Sequence, residues 1–353
     1  MEFRLAIAEA LCATPGWDGA FTAEETAAML EAPPNPDMGD FAFPCFKLAR
    51  TMRKAPPLIA ADLAGRIVLP AGVARVEALS GYLNFTLDRA ALSRAVLERI
   101  AHEGDRYGGS DVGGGRCVCI DYSSVNIAKP LHIGHLPSTV IGNALYRIYN
   151  HLGYRSVGIN HLGDWGTQFG KMIYAYKTWG SREAVERGGV DELVRLYVRF
   201  HQEAENDEAM NDAARAWFRR IEEGDAEATN LFNWFKEITL SEVQQVFDLM
   251  DIRFDSYAGE SFYNDKMGRV VDELRQKGLL KLDQGAQIVD LSAYKMPPCI
   301  ILRSDGATLY ATRDIAAALY RKDTYDFAKC LYVVAYQQSL HFRQWFKVVE
   351  LMG

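Results

Sequence analysis

Apolar residues follow helical spacing in some stretches and strand spacing in others, and the two kinds alternate along the chain. Residues 22–32 ("TAEETAAMLEA") predict a short helix with Thr22 as N-cap and Glu25 three positions on, the pairing of a capping box. The next eight residues, "PPNPDMGD", predict a turn-rich stop. Residues 41–67 ("FAFPCFKLARTMRKAPPLIAADLAGRI") predict two helical segments divided at Pro56 and Pro57. In "VEALSGYLNFTLD" the alternation of Leu83, Phe85 and Leu87 predicts strand, turn and strand. A helix is expected at about 89–103, and the glycine-rich "GDRYGGSDVGGG" after it is the best linker in the chain.

Beyond the linker the pattern changes. "RCVCIDYSS" (116–124) predicts a short buried strand. A helix is expected at about 135–152, with Leu136, Ile141, Leu145, Ile148 and Leu152 near helical spacing. A second strand is expected at 154–163, so the three form a βαβ unit with a parallel sheet and a right-handed crossover. Residues 181–250 predict charged helices whose charges are solvated. "CIILRSDGATLYAT" predicts a hairpin around Asp305 and Gly306, followed by a helix at 313–321, a buried strand at 330–336 and a final amphipathic helix. The fold class expected is α/β: a doubly wound parallel-sheet, Rossmann-like catalytic domain at 111–353 with a helical insertion at about 181–250, preceded by a small α/β N-terminal domain at 1–110.

Composition narrows the class. Of 353 residues, 49% are hydrophobic and 24% charged, and no apolar run approaches the roughly 20 residues of a bilayer span. We therefore expect no membrane association. The N-terminal segment has an acid at Glu2 and is broken by Glu9, which argues against a signal peptide. Six cysteines form no C-x-x-C pair, as expected for reduced thiols in a cytoplasmic protein. Cys117 and Cys119 should share one strand face. The net charge of −7 excludes a general nucleic-acid coat but leaves room for a local basic face. Lys47, Arg50 and Lys54 fall at i, i+3 and i+7 if helical, with Arg53 beside them, a spacing able to grip RNA phosphates. On charge alone such a face is more often just a solvated surface. Phe41, Phe43 and Phe46 are expected in the core.

The chemistry concentrates in "SSVNIAKPLHIGHLPSTVIGNAL" (123–145). A loop after a parallel strand lies at the carboxyl edge of the sheet, where ligands bind. A helix start there offers unpaired N–H groups and partial positive charge to phosphate. Gly134 lets a flat group approach the backbone. His132 and His135 can donate to phosphate oxygens, and Lys129 adds a compact cation. A nucleoside triphosphate suits this set. The alternative is a helix start with two capping or core histidines. Zinc would need a third ligand that is not evident, so no metal site is expected.

"HIGH" at 132–135, after a strand and opening a helix, resembles the first signature of class I aminoacyl-tRNA synthetases. "YSSVNIAKPLHIGH", "NHLGDWGTQFGK" (160–171) and "LYATRDIAAALYR" (309–321) resemble the arginyl-tRNA synthetases in particular. "NPDMGDFAFPCFKLA" and "GYLNF" resemble that family's additional N-terminal domain. The resemblance spans essentially the whole chain and implies an enzyme that joins arginine to ATP, then passes the arginyl group to tRNA(Arg). It implies ATP as substrate with Mg²⁺ and no tightly bound cofactor. His132, His135 and Lys129 would engage the ATP phosphates as the catalytic set, with Gly134 beside the nucleotide. Asp314 would accept the guanidinium, with Tyr310 four residues earlier and Glu260 as a second acid. Asn126 and Ser124 would hold the α-amino and carboxylate end, Gln338 would complete the pocket, and His161 and Gln168 would line it. Trp165 serves packing or contact. The N-terminal domain, through Lys47, Arg50, Arg53 and Lys54, would touch the outer corner of the tRNA.

Three departures from the family pattern stand out. Up to Gly353 neither the lysine-bearing second signature loop nor the anticodon-binding domain occurs, and "YKMPP" (294–298) lies on the wrong side of the C-terminal βα half to replace that loop. The expectation is therefore a truncated chain. Pro137 stands where the family usually has arginine, which the first helical turn accommodates at the loss of one cation. Tyr336 stands where a smaller residue is usual and is expected beside the arginine pocket. The rival reading is a truncated or paralogous module that binds tRNA, ATP or arginine without completing aminoacylation.

Overall fold

The computed structural model describes residues 2–17 and 19–353. The chain divides between Tyr107 and Gly108 into two units, inside the glycine-rich run expected to be a linker. The first unit opens with helices α1 (Glu2–Cys12) and α2 (Ala23–Met29). Thr22 caps α2: its hydroxyl accepts from Glu25 N, and its own N–H donates to the Glu25 carboxylate at 2.9 Å. Strand β1 (Phe41–Pro44), helices α3 (Ala49–Met52) and α4 (Pro56–Arg66), strands β2 (Val73–Leu79) and β3 (Tyr82–Leu87), and helix α5 (Arg89–Glu103) follow. The strands form an antiparallel sheet in the order β1-β3-β2. Phe43, Leu83, Phe85, Ile59, Leu63 and Trp17 fill its core.

Three expectations fail here. Residues 41–44 are a strand, not the start of a helix, because Phe41 and Phe43 pair with Phe85 and Leu83 across the sheet, and aromatic residues suit a pleated half-buried surface. Phe46 is 49% exposed rather than in the core. The basic residues do not share one helical face either. Lys47 lies in a 3₁₀ turn and Arg50 in the four-residue α3. Arg53 ends that helix in the left-handed region at φ 49°, and Lys54 pairs with Asp62 at 3.4 Å.

The second unit is built on a parallel sheet of β4 (Cys117–Asp121), β5 (Arg155–Ile159) and β9 (Lys329–Tyr332), in the order β5-β4-β9. All five residues of β4 are buried. Val118 and Ile120 enter one core, while Cys117 and Cys119 share the other face with Val157 and Ile159. Helix α6 (Leu136–His151) makes the crossover between β4 and β5. Its apolar stripe is only in part its core face, for Leu145 packs against the core while others do not. Leu136, Ile141 and Ile148 are exposed, and Thr139 and Gly142 are buried instead. Small residues win because the helix crosses the Tyr122 ring so closely that a Cβ at Gly142 would lie 2.2 Å from Tyr122 Cγ.

Between β5 and β9 the chain adds α7 (Gln168–Trp179), α8 (Arg182–Glu203), α9 (Glu208–Glu222) and α10 (Ala226–Leu249), then α11 (Met267–Gln276). The helical insertion thus starts earlier than expected, at α7, and is held by Phe169, Leu193, Phe200, Phe235 and Phe247. Strands β6 (Leu280–Asp283), β7 (Ala286–Val289) and β8 (Cys299–Leu302) form an antiparallel sheet. The expected hairpin shrinks to one bridge, Leu302 to Thr308, because α12 (Tyr310–Tyr325) begins before residue 313. Its alanine-rich sequence favours helix over a returning strand. Helix α13 (Ser339–Met352) follows β9. Among the described residues no helix is long and apolar enough to cross a membrane.

Candidate functional site

The central strand β4 has neighbours on both sides, so the loops after β4 and β9 diverge at its carboxyl end, the switch point where α/β sheets bind ligands. The loop after β4 is tightly constrained. Ser123, Ser124 and Ala128 all have positive φ, at 70°, 52° and 58°, a concentration of backbone strain that folds sustain where a ligand loop must be preset. The neighbours enforce it. Ile127 N donates to Gly163 O at 3.1 Å and Gly163 N to Val125 O at 2.9 Å. Ala128 N donates to Thr239 Oγ1 of α10 at 3.0 Å.

Beside this loop lies a cavity of about 430 Å³. Of the eight residues expected around an amino acid, seven line it: Ser124, Asn126, His161, Glu260, Tyr310, Asp314 and Gln338. They come from five separate chain segments. Gln168 does not join them. Its amide donates to Trp165 O at 2.9 Å, and it lines a small hollow with Lys129 instead, because it is already the first residue of α7. Trp165 packs edge-on against Phe218 and Phe232, which makes it a core residue. Tyr336 is 88% exposed and does not line the cavity; the 3₁₀ turn at 336–338 turns Gln337 and Gln338 inward in its place.

The cavity's charges are unevenly satisfied. Asp314 Oδ2 is 2.5 Å from His341 Nε2. Tyr310, one helical turn earlier on α12, stands on the same face. Burial pushes the Glu260 carboxyl up to about 7; nearby Arg313 pulls it down, and the negative charges of Asp164 and Asp314 add to the rise. Burial also pushes the His161 imidazole down, so that ring is neutral. Asp121, Glu260 and Asp314 all line the cavity, and a chamber of acids in which Glu260 is reluctant to ionise without a cation suits a guanidinium.

Sequence reasoning missed Asp121, Arg321 and His341. Asp121 is the only acid in a strand otherwise apolar, and it ends that strand at the ligand edge. Arg321 lies seven residues after Asp314, two turns along the same helix face. Arg321 and Asp121 pair at 2.8 Å, Ser124 Oγ donates to Asp121 at 3.0 Å, and Arg321 meets His161 Nδ1 at 3.3 Å.

The two signature histidines open α6 through a 3₁₀ turn at Ile133–His135. Gly134 N donates to His132 Nδ1 at 3.0 Å, and His132 N donates to His135 Nδ1 at 3.3 Å. The rings lie 4.2 Å apart. The capping alternative is thus realised locally. It does not consume the rings, because a ring whose Nδ1 accepts carries its proton on Nε2. Burial and the neighbouring His132 keep His135 neutral. Pro137 sits in the first turn of α6, where its missing N–H costs nothing. Lys129 is exposed and pairs with no carboxylate among the described residues. Among those residues no group of three or more histidine, cysteine, aspartate or glutamate side chains gathers as metal ligands.

Comparison with known proteins bears on this arrangement. Residues 97–353 match the family model for the catalytic domain of class I tRNA synthetases (R), and residues 1–87 match that for the arginyl-tRNA synthetase N-terminal domain. The arginine–tRNA ligase of Alkaliphilus metalliredigens is 56% identical over 329 residues, covering 93% of this chain and 58% of its own. That of Clostridioides difficile is 57% identical over 330 residues, with coverage of 94% and 58%. Among solved structures, Thermus thermophilus arginyl-tRNA synthetase aligns with a TM-score of 0.59 at 25% identity, covering 90% of this chain and 53% of that one. The Plasmodium falciparum enzyme, at 22% identity, shares the fold with a TM-score of 0.64 over 91% of this chain and 57% of that one. The chain thus spans 58% of the length of the curated relatives it matches.

Proposed function

The chain belongs to the class I arginyl-tRNA synthetases, and on that premise we propose that it activates arginine with ATP and serves transfer of the arginyl group to tRNA(Arg) in the cytoplasm. The observation that carries the reading is the cavity at the switch point, where Glu260 and Asp314 stand beside Asn126 and Ser124. A buried guanidinium needs carboxylate partners and a planar pair of acceptors. Arginine entering with its guanidinium toward Asp314 and Glu260 would leave its carboxylate near the loop after β4. Attack of that carboxylate on the α-phosphorus of ATP releases pyrophosphate and leaves the adenylate. Catalysis here is largely positioning and charge stabilisation. The Nε2–H groups of His132 and His135 and the ammonium of Lys129 would steady the phosphates, with Gly134 against the nucleotide. Mg²⁺ would travel on the triphosphate.

In the first unit, Lys47, Arg50, Arg53 and Lys54 are the residues we assign to tRNA phosphates, presented by a broken turn and not by one helix face. The test of the whole reading is arginine-dependent exchange of pyrophosphate into ATP in the presence of tRNA(Arg). Exchange that needs arginine, fails with lysine and falls in D314A is expected. Unchanged arginine affinity in D314A would remove the pocket assignment, and tRNA binding without any exchange would favour a pure binding module.

A further inference from the structure

Glu260 does not hold its own place. It opens a 3₁₀ turn at Glu260–Tyr263, and the turn is gripped from behind by Asp164. Ser261 N donates to Asp164 Oδ1 at 2.9 Å and Ser261 Oγ to Oδ2 at 2.7 Å. Glu260 N donates to Leu162 O at 2.9 Å. The fit leaves no slack: a Cβ at Gly259 would fall 2.5 Å from Asp164 Oδ1 and 2.6 Å from Leu162 O. Asp164 is itself completely buried. A buried carboxylate is costly unless paired, and the partner is Lys236 Nζ at 2.5 Å. Lys236 sits on α10, in the insertion whose charges the sequence suggested were merely solvated.

We propose that Asp164 and Lys236 are a positioning pair for Glu260, through which the helical insertion fixes the acid that meets the guanidinium. The inference rests on the reading of Glu260 given above. The pair has two separable effects. Its hydrogen bonds fix where the Glu260 turn sits, and the charge of Asp164 sets how readily Glu260 ionises. The charged groups acting on Glu260 are Arg313 and Asp314 from α12 and Asp164 from the loop after β5, with Lys236 behind Asp164. Arginine binding requires ionised Glu260, so affinity should fall as pH drops below the Glu260 titration. Removing the Asp164 charge should lower that titration and move the fall to lower pH. A part that is merely structural would weaken binding without moving it.

The experiment uses the full chain. D164N alone would leave the Lys236 ammonium against an amide, so the main variant is D164N/K236M, which removes both charges. Glu260 is followed by carbon-13 carboxyl NMR without ligand, assigned with E260Q, and arginine affinity is measured by calorimetry across pH. We expect the Glu260 titration and the affinity limb both to move down by about half a pH unit in the double variant, and the Kd above the limb to rise about tenfold. S261A keeps the Asp164 charge and removes one donor. Its Kd should rise about threefold with the limb unmoved. A folded double variant in which Glu260 titrates as in the wild type overturns the proposal, as does S261A with unchanged affinity. If the wild-type chain binds no arginine while Glu260 still shifts, the pair's hold on Glu260 stands and the substrate reading falls.

Discussion

Arg321 Nη1 lies 2.8 Å from Asp121 Oδ2, with 1% and 5% of the two residues exposed. The contact ties the far end of α12 to the last residue of β4, and both residues line the cavity. It is an ion pair by distance but off the line of a hydrogen bond, and Arg321 Nε and Nη1 have no aligned acceptor. Such a pair contributes little net stability, yet breaking it on one side leaves a buried charge alone. R321M should therefore cost about 3–5 kcal/mol in urea unfolding. R321M/D121N should recover most of that loss. Equal losses in the single and double variants would show that packing of the long side chain, not charge, is what matters.

Glu260 gives a pH-dependent prediction with a definite sign. Its folded-state value is raised to about 7 from 4.5. Between those limits the folded chain binds more protons than the unfolded one, so stability falls as pH rises toward about 7 and then levels off. E260Q removes that loss. The variant should be more stable than the wild type at about pH 8, by on the order of 2 kcal/mol after allowance for partial exposure. The difference should vanish at about pH 4. E260Q should at the same time bind arginine poorly. Denaturant midpoints at the two pH values and one affinity measurement check both halves, and a stability difference independent of pH would count against the assignment.

Gly142 yields a prediction about the helix that carries the signature histidines. A Cβ there would lie 2.2 Å from Tyr122 Cγ and 2.3 Å from Tyr122 Cβ, and Tyr122 is fully buried. G142A must push α6 off the sheet or tilt the ring. Overpacking of this kind costs about 1–3 kcal/mol, although alanine is intrinsically the better helix former. A fall in melting temperature is expected, with weaker ATP binding because the start of α6 moves with it. A rise would show that the helix settles without strain.

How much of this was legible in the sequence follows from the range of the forces involved. The βαβ unit, the capping box at Thr22 and the helical insertion are local patterns, readable from spacing. Strand β1 was misread because its pairing partner, β3, lies some forty residues away, and only that pairing decides between strand and helix for four aromatic-rich residues. The stripe on α6 misled because periodicity assumes that the largest apolar residues face the core, whereas Tyr122 demands the smallest. In the site, residues with recognisable motifs came together, while Gln168 was misplaced because "GTQFGK" reads as loop and is in fact the start of α7. Asp121, Arg321 and Lys236 were missed for a common reason: each is a charge whose partner is distant in sequence, and a lone charge in a string reads as surface.

On the proposed reading, the histidines at the start of α6 serve phosphate chemistry and not amino-acid recognition. His132 Nδ1 and His135 Nδ1 both accept backbone N–H groups, which places both ring protons on Nε2, facing away from the turn. Neither ring lines the cavity that holds Glu260 and Asp314. Loss of both donors should therefore weaken ATP binding without touching arginine. H132A/H135A is expected to raise the Kd for ATP by about tenfold or more and to leave the Kd for arginine within about twofold. Equilibrium dialysis with each substrate alone makes the comparison without requiring turnover. If arginine affinity fell in step with ATP affinity, the two sites would be coupled through the strained loop at 123–128, and the histidines could no longer be read as phosphate donors alone.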